Sequence, residues 1–286
     1  MDSLEALNPE ALVGVGLRRP HHSFILENKP PMGWFEIISE NYFKKDGPSL
    51  SFLDKICVDY PLSFHGIGLS LGSAEGLDKG YLSSLKEFMN RFFPFLISDH
   101  LSWSNVQGGA FPTLLPIPYT DESFALFADH IAQAQDFLGR EMLLENPSSY
   151  LEYKESTFSE ADFLTTLCQK TGAKILLDIN NVFVSASNHE WDAKAYLDAI
   201  PPELVKEIHL AGHSLRTFDD GTALLVDTHS SRVCDEVWEL YAYAIARGMV
   251  VPTLIEWDDE IPEFEGLAHE AKIAQSYLDT RQVAYG

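Results

Sequence analysis

The sequence predicts a (β/α)8 barrel, and three observations carry that expectation. Eight short apolar runs rich in Val, Ile, Leu and Phe recur along the chain, segments with helical spacing lie between them, and most of the runs stop at a His, Asp or Glu. Strands buried on both faces and joined by helical crossovers belong to a parallel sheet, and eight of them point to a closed one. A doubly wound open sheet built from the same units is the alternative. Barrels of about 250 residues routinely form one domain, so 286 residues are expected to form a single domain over 1–286.

In chain order, the expected strands are Leu12–Leu17, Trp34–Ser39, Leu62–His65, Phe95–Ser98, Met142–Glu145, Lys174–Asp178, Glu207–Leu210 and Pro252–Glu256. Helical spacing of apolar residues predicts helices over Leu77–Phe93, Asp121–Leu138, Phe158–Thr171 and Ser231–Arg247. In the last of these, Val233, Val237, Leu240 and Ala244 form one stripe. The Gly-Leu-Ser-Leu-Gly run at 68–72 superficially suggests a phosphate loop, but it lacks the Walker lysine and the full dinucleotide fingerprint. There is no low-complexity linker and no repeat beyond the βα alternation.

Composition excludes several classes of function. A formal net charge of −23 repels nucleic acid and anionic lipid and better suits a metal cation or a basic peptide. No apolar run approaches the roughly 20 residues of a membrane span, and Met1–Glu10 is acidic and lacks the pattern of a secretory signal, so a cytoplasmic location is expected. Cys57, Cys168 and Cys234 are widely separated and form no Cys-x-x-Cys pair, which indicates neither a disulfide scaffold nor a thiolate metal site.

The chemistry lies at the strand ends. Strand three ends in Ser63-Phe64-His65, strand four in Ser98-Asp99-His100, strand five in Glu145-Asn146 and strand six in Asp178-Ile179-Asn180-Asn181. Strand seven holds His209 and is followed by His213, and strand eight ends in Glu256-Trp257-Asp258. A single such histidine is more often a hydrogen-bonded structural residue. Six strand ends converging on the C-terminal face of a barrel are different, because burying so many carboxylates and imidazoles is costly unless cations neutralise them. Asp227-Thr228-His229, after strand seven, adds an alternating pair that an extended backbone would point the same way; a loop turn started by the aspartate is the other reading. The candidate ligands are therefore His65, His100, Glu145, Asp178, Asn181, His209, Asp227, His229 and Glu256, with Asp258 the candidate catalytic carboxylate. Imidazole and carboxylate without thiolate suit iron, manganese or zinc better than calcium or magnesium. Nine candidates are enough for two or three ions, with Glu145 able to bridge.

At these residues the chain resembles the multinuclear non-heme iron-dependent oxidative enzymes. That family includes the oxazolone/thioamide-forming subunit of methanobactin biosynthesis and the peptidyl-cysteine β-carbon-excising enzyme of thiaglutamate biosynthesis. The resemblance runs from Gly14-Val15-Gly16-Leu17-Arg18 through Ser63-Phe64-His65-Gly66, Ser98-Asp99-His100-Leu101-Ser102-Trp103, Leu144-Glu145-Asn146-Pro147, Leu177-Asp178-Ile179-Asn180-Asn181-Val182 and Ile208-His209-Leu210-Ala211-Gly212-His213 to Asp227-Thr228-His229 and Leu254-Ile255-Glu256. It implies a xylose-isomerase-like barrel with two or three irons, Fe(II) and Fe(III), on the nine residues above, using O2 to oxidise a cysteine at the C-terminus or in the core of a ribosomally made or extended peptide. It also implies a small partner protein, forming a heterodimer, that recognises the peptide. Family members often carry Glu where this chain has Asp99 and Asp where it has Thr228, which leaves the histidines intact; the segments lean toward the carbon-excising branch. Two other classes compete: a metal-dependent sugar isomerase or endonuclease-like hydrolase, which would work without oxygen, and a non-catalytic metal-binding scaffold.

Overall fold

A computed structural model of the chain describes residues 12–43, 47–106 and 109–285; the acidic Met1–Glu10 stretch lies outside them. Eight parallel strands close into a barrel: β1 (Val13–Gly16), β2 (Phe35–Ile38), β3 (Leu62–Gly66), β4 (Leu96–His100), β5 (Leu143–Glu145), β6 (Lys174–Asp178), β7 (Val205–Leu210) and β8 (Thr253–Ile255). Each pairs with its sequence neighbours, and β1 closes on β8 through Val13 opposite Thr253 and Val15 opposite Ile255. This is the expected closed sheet rather than an open doubly wound one.

The helices outside are α1 (His22–Asn28), α2 (Pro48–Ile56), α3 (Lys79–Phe92), α4 (Asp121–Leu138), α5 (Glu160–Thr171), α6 (Ile179–His189), α7 (Ala193–Ala199), α8 (Asp235–Ala246) and α9 (Phe264–Tyr285). Lys174–Asp178 and Asp121–Leu138 fall as the sequence predicts. The expected helix from Ser231 starts later, at Asp235, with Cys234 still in extended backbone at its cap. Its stripe of Val233, Val237, Leu240 and Ala244 is nonetheless buried. No helix among the described residues is long and apolar enough to cross a membrane.

Strand side chains alternate between two faces, and the burial separates accordingly. Val15, Phe35, Ile37, Phe64, Leu144, Ile175, Leu177, Ile208 and Ile255 join the large core between sheet and helices. The alternate set, Trp34, Phe95, Leu96, Leu143, Leu176 and Leu254, forms a separate apolar plug at the N-terminal end of the barrel. Gly14 makes room for it, since a Cβ there would stand 2.3 Å from the Trp34 ring. Two residues further along each strand the inward set turns polar, with Glu36, Ser98, Glu145, Asp178 and Glu256 all buried. The plug thus supports a polar layer that faces the C-terminal mouth. Two antiparallel hairpins rise from that mouth, Trp103–Val106 with Gly109–Leu115 after β4, and Ser214–Thr217 with Ala223–Val226 after β7. The second delivers Asp227.

Candidate metal centre

His65 at the end of β3 and His100 at the end of β4 bring their Nε2 atoms to 3.3 and 3.1 Å from Oε2 of Glu145 on β5. The His100 Nδ1 lies 3.1 Å from the Gly66 carbonyl, which can only accept, so the ring proton sits on Nδ1 and Nε2 presents a lone pair. His65 Nδ1 lies 2.8 Å from the Ser98 hydroxyl. Burial holds His100 down to about 4 and His65 well below the usual imidazole range, so both rings are neutral, the form that ligates metals. Glu145 Oε2 has no hydrogen-bond partner. At His100 two lone-pair atoms therefore face each other across 3.1 Å in a dry site, an arrangement that requires a proton or a cation between them.

Asp178 ends β6 and at once caps α6, its Oδ1 accepting from Asn181 N at 2.6 Å, while Oδ2 is buried without a partner. Asn146 locks this corner with two bonds to the Asp178 backbone, both 2.9 Å. Burial, and then the neighbouring Asp227, push the Asp178 carboxyl up to about 7. Burial likewise raises Glu145 well above the usual range, with Asp178 adding to it and His209 opposing. Asn181 donates to the Asn146 carbonyl at 3.1 Å and to Glu145 Oε1 at 3.4 Å, leaving its own Oδ1 unpartnered.

On the opposite side, His209 of β7 has Nδ1 3.1 Å from Glu256 Oε2, and His229 has Nδ1 3.5 Å from the same oxygen. Burial opposes charge on these two rings, but the surrounding carboxylates, Glu36 and Glu256 at His209 and Glu256 and Asp227 at His229, raise both well above the ordinary value. Glu256 is in turn held well below its ordinary range, against burial, by His229 and His209. His229 is also 2.6 Å from Asp227 Oδ1 and 3.1 Å from Asp258 Oδ2. The backbone here is not extended, since His229 takes a left-handed φ of 46°, so the pair meets by a bend rather than by strand alternation.

Four sets of three residues offer ligand atoms within 4.8 Å of one another: His65, His100 and Glu145; Glu145, Asp178 and His209; Asp178, His229 and Glu256; and Glu36, His209 and Glu256. Glu145 links the first two and Asp178 the second and third. Of the nine residues expected from sequence, seven fall in these sets; Asp227 joins through His229 and Asn181 through Glu145. Asp258 stands at the rim, held by the Arg18 guanidinium through Nε at 2.8 Å and Nη2. Arg18, buried beyond β1, also lies 3.5 Å from Glu256. The mouth above the sets is a cavity of about 310 Å3 walled by Ile67, Leu114, Pro147 and Tyr150.

Sequence reasoning missed Glu36, whose Oε2 stands 3.3 Å from His209 Nε2. A lone carboxylate inside the run Trp34–Ser39 was the signal for it. Asn180 and His213, noted at the ends of strands six and seven but not among the nine candidate ligands, form a supporting layer in which Asn180 donates to Asp227 Oδ1 at 2.8 Å and meets His213 Nδ1 at 2.8 Å. Asp99, between two inward residues, points away from the axis and accepts from Leu69 N. The three cysteines lie outside the mouth, and burial raises the pKa of each thiol.

The model of the family described as RiPP precursor modification enzyme MbnB/TglH/ChrH matches residues 12–279. The chain belongs to this family. Among relatives of similar sequence, a UPF0276 protein of Vibrio vulnificus is 47% identical over 266 residues, covering 93% of this chain and 91% of its own length. A UPF0276 protein of Psychromonas ingrahamii is 45% identical over 259 residues, covering 90% and 91%. Solved structures share the barrel at low identity: endonuclease IV from Thermus thermophilus (TM-score 0.58, 14% identity, 94% of this chain and 99% of that one) and a xylose isomerase domain containing protein from Salmonella typhimurium (0.61, 12%, 95% and 98%). At those identities the likeness shows the fold alone, a xylose-isomerase-like TIM barrel. Family and barrel together indicate an enzyme of peptide modification with a metal-binding candidate site.

Proposed function

We propose that this MbnB/TglH/ChrH-family chain holds two or three iron ions and uses O2 to oxidise a cysteine of a ribosomally made or extended peptide, excising the cysteine β-carbon. The observation that carries the metal is the His100 Nε2 lone pair opposed to the unpartnered Glu145 Oε2 at 3.1 Å, with His65 at 3.3 Å from the same oxygen. The residues that would hold the irons are His65, His100, Glu145, Asp178, Asn181, His209, Asp227, His229 and Glu256. Bound iron supplies one-electron redox chemistry with dioxygen and an attachment point for a thiolate.

The chain's own residues do the rest. Glu145 and Asp178, each shared between two sets, would contribute to more than one ion. Arg18 holds Asp258 through Nε at 2.8 Å and lies 3.5 Å from Glu256, so Asp258 is positioned at the rim where the substrate enters. Ile67, Leu114 and Pro147 give the mouth an apolar side against which a substrate side chain would pack. No cysteine lines that mouth, so the thiolate comes with the substrate. A small partner protein recognises the rest of the peptide, in the cytoplasm.

Elemental analysis of anaerobically purified protein should find two to three equivalents of iron, as those ligand sets suggest; one or fewer at full occupancy ends the cluster reading. An anaerobic titration with cysteine peptide should add a charge-transfer absorption that the serine analogue does not. Identical spectra with both peptides bound exclude thiolate attachment. Full activity with zinc or manganese in the absence of oxygen would favour a hydrolase or isomerase.

A further inference from the structure

A second, larger cavity of about 790 Å3 lies beside the metal mouth, and Pro147 and Ser148 line both. Its walls come from the segment following β5, from the start of α5 and from α7, and they are mostly apolar and aromatic, including Ile117, Leu151, Tyr153, Phe158 and Trp191. At its base stands Glu160, only 5% exposed. Glu160 Oε2 accepts from the Tyr119 hydroxyl at 2.8 Å and Oε1 from the Tyr196 hydroxyl at 2.9 Å. Each carboxylate oxygen can accept a second bond. The tyrosines donate but bring no positive charge, and among the described residues no cation acts on this carboxyl.

A buried acid on a cavity wall, with two tyrosine hydroxyls and no cation beside it, would gain a charge-assisted bond from a basic ligand. The remaining charges lining the cavity have the same sign in excess, Glu152 and Asp192 against Lys154. Glu152, which accepts from the Trp191 indole at 3.1 Å, and Asp192, which caps α7 through Lys194 N at 2.9 Å, are exposed to solvent, so Glu160 is the buried acid among the three. The matching chemistry is a cation on a long apolar stem, whose methylenes lie along aromatic walls while the head reaches the carboxylate. We propose that this cavity is a subsite for a lysine or arginine of the same peptide whose cysteine enters the metal mouth, the chain passing over Pro147 and Ser148. The proposal rests on the reading of the substrate as a peptide.

The test separates the two ideas. The first probe is 4-phenylbutylamine, with 4-phenylbutanol as its uncharged counterpart, binding to the metal-loaded full chain and followed by Trp191 fluorescence with Trp191→Phe as the blank. A charge-assisted bond of about 1.5–3 kcal/mol corresponds to about tenfold or more tighter binding of the amine. That preference should vanish in Glu160→Gln, and Ala195→Trp, on the exposed face of α7 at the cavity wall, should block both compounds. Amine and alcohol binding alike, or a preference that survives both variants, overturns the subsite. The second probe is a set of acetylated decapeptides with one cysteine and a lysine or norleucine at each spacing from it. One spacing should show the lysine advantage in wild type and lose it in both variants; no advantage at any spacing overturns the link to the substrate. If the peptide reading itself is wrong, the cysteine and serine peptides leave the iron spectrum unchanged while the amine still binds.

Discussion

Glu145 offers one unpartnered oxygen to two imidazoles and belongs to two ligand sets, so its loss acts on both. Glu145→Ala should lower the metal content by more than one ion per chain, measured by elemental analysis after anaerobic reconstitution. Cys57→Ser, outside every set, should leave it unchanged. Loss of a single ion from Glu145→Ala would show that the residue does not bridge. Glu160 supports a pH experiment independent of metal. Burial holds its carboxyl up to about 7, above its value in the unfolded chain, while Tyr119 and Tyr196 beside it are pushed well above their ordinary range and stay neutral. A raised folded value favours the protonated fold, so the contribution is complete below the unfolded pKa and is lost as pH rises through about 7. Glu160→Gln cannot ionise, and its stability in urea should fall less than wild type over the interval from about pH 4.5 to 8. Equal slopes would mean that Glu160 titrates normally.

At the level of elements, the site depends on how the segments after the strands approach one another. A Cβ on Gly212, just past β7, would stand 2.2 Å from the Ser231 carbonyl oxygen, so the backbone that follows His229 must move if one is added. Gly212→Ala should cost about 1–3 kcal/mol of stability as an overpacked contact and should weaken metal binding at the Asp178, His229 and Glu256 set, read by calorimetric titration. Metal binding equal to wild type would show that the two segments can separate without disturbing His229. The same segments mark where the sequence stopped being legible. The eight barrel strands were readable because burial on both faces leaves continuous apolar runs, and the candidate ligands were readable because most of the runs stop at a polar residue. Helix α6 was hidden because it begins on the residue that ends β6, Asp178 serving as both ligand candidate and cap. The hairpin Ser214–Thr217 with Ala223–Val226 was hidden because its exposed first strand carries no apolar alternation. Glu36 was overlooked for the opposite reason, a charge inside an apolar run reading as noise until the inward face is known.

Across the whole molecule, carboxylates crowd the polar layer above the apolar plug, and the net charge of −23 repels more negative charge from any direction. Cations bound there would relieve local repulsion, so on the proposed reading chelation should lower the unfolding temperature and readdition of Fe(II) should restore it. Each ion at a hundredfold excess over its dissociation constant contributes about 3 kcal/mol if it binds only the folded state. A melting curve that chelator leaves unmoved would mean that the layer is stable on protons alone. The closure of β1 on β8 has a further consequence, for the order of events during synthesis. His65 emerges early from the ribosome and Glu256 near the end, and the strands that bear them are brought round one axis only when the last of them docks against the first. Contacts so distant in the chain form late. The Glu36, His209 and Glu256 set, drawn from β2, β7 and the end of β8, therefore comes together only at closure, whereas the residues of the His65, His100 and Glu145 set have all been made by the end of β5.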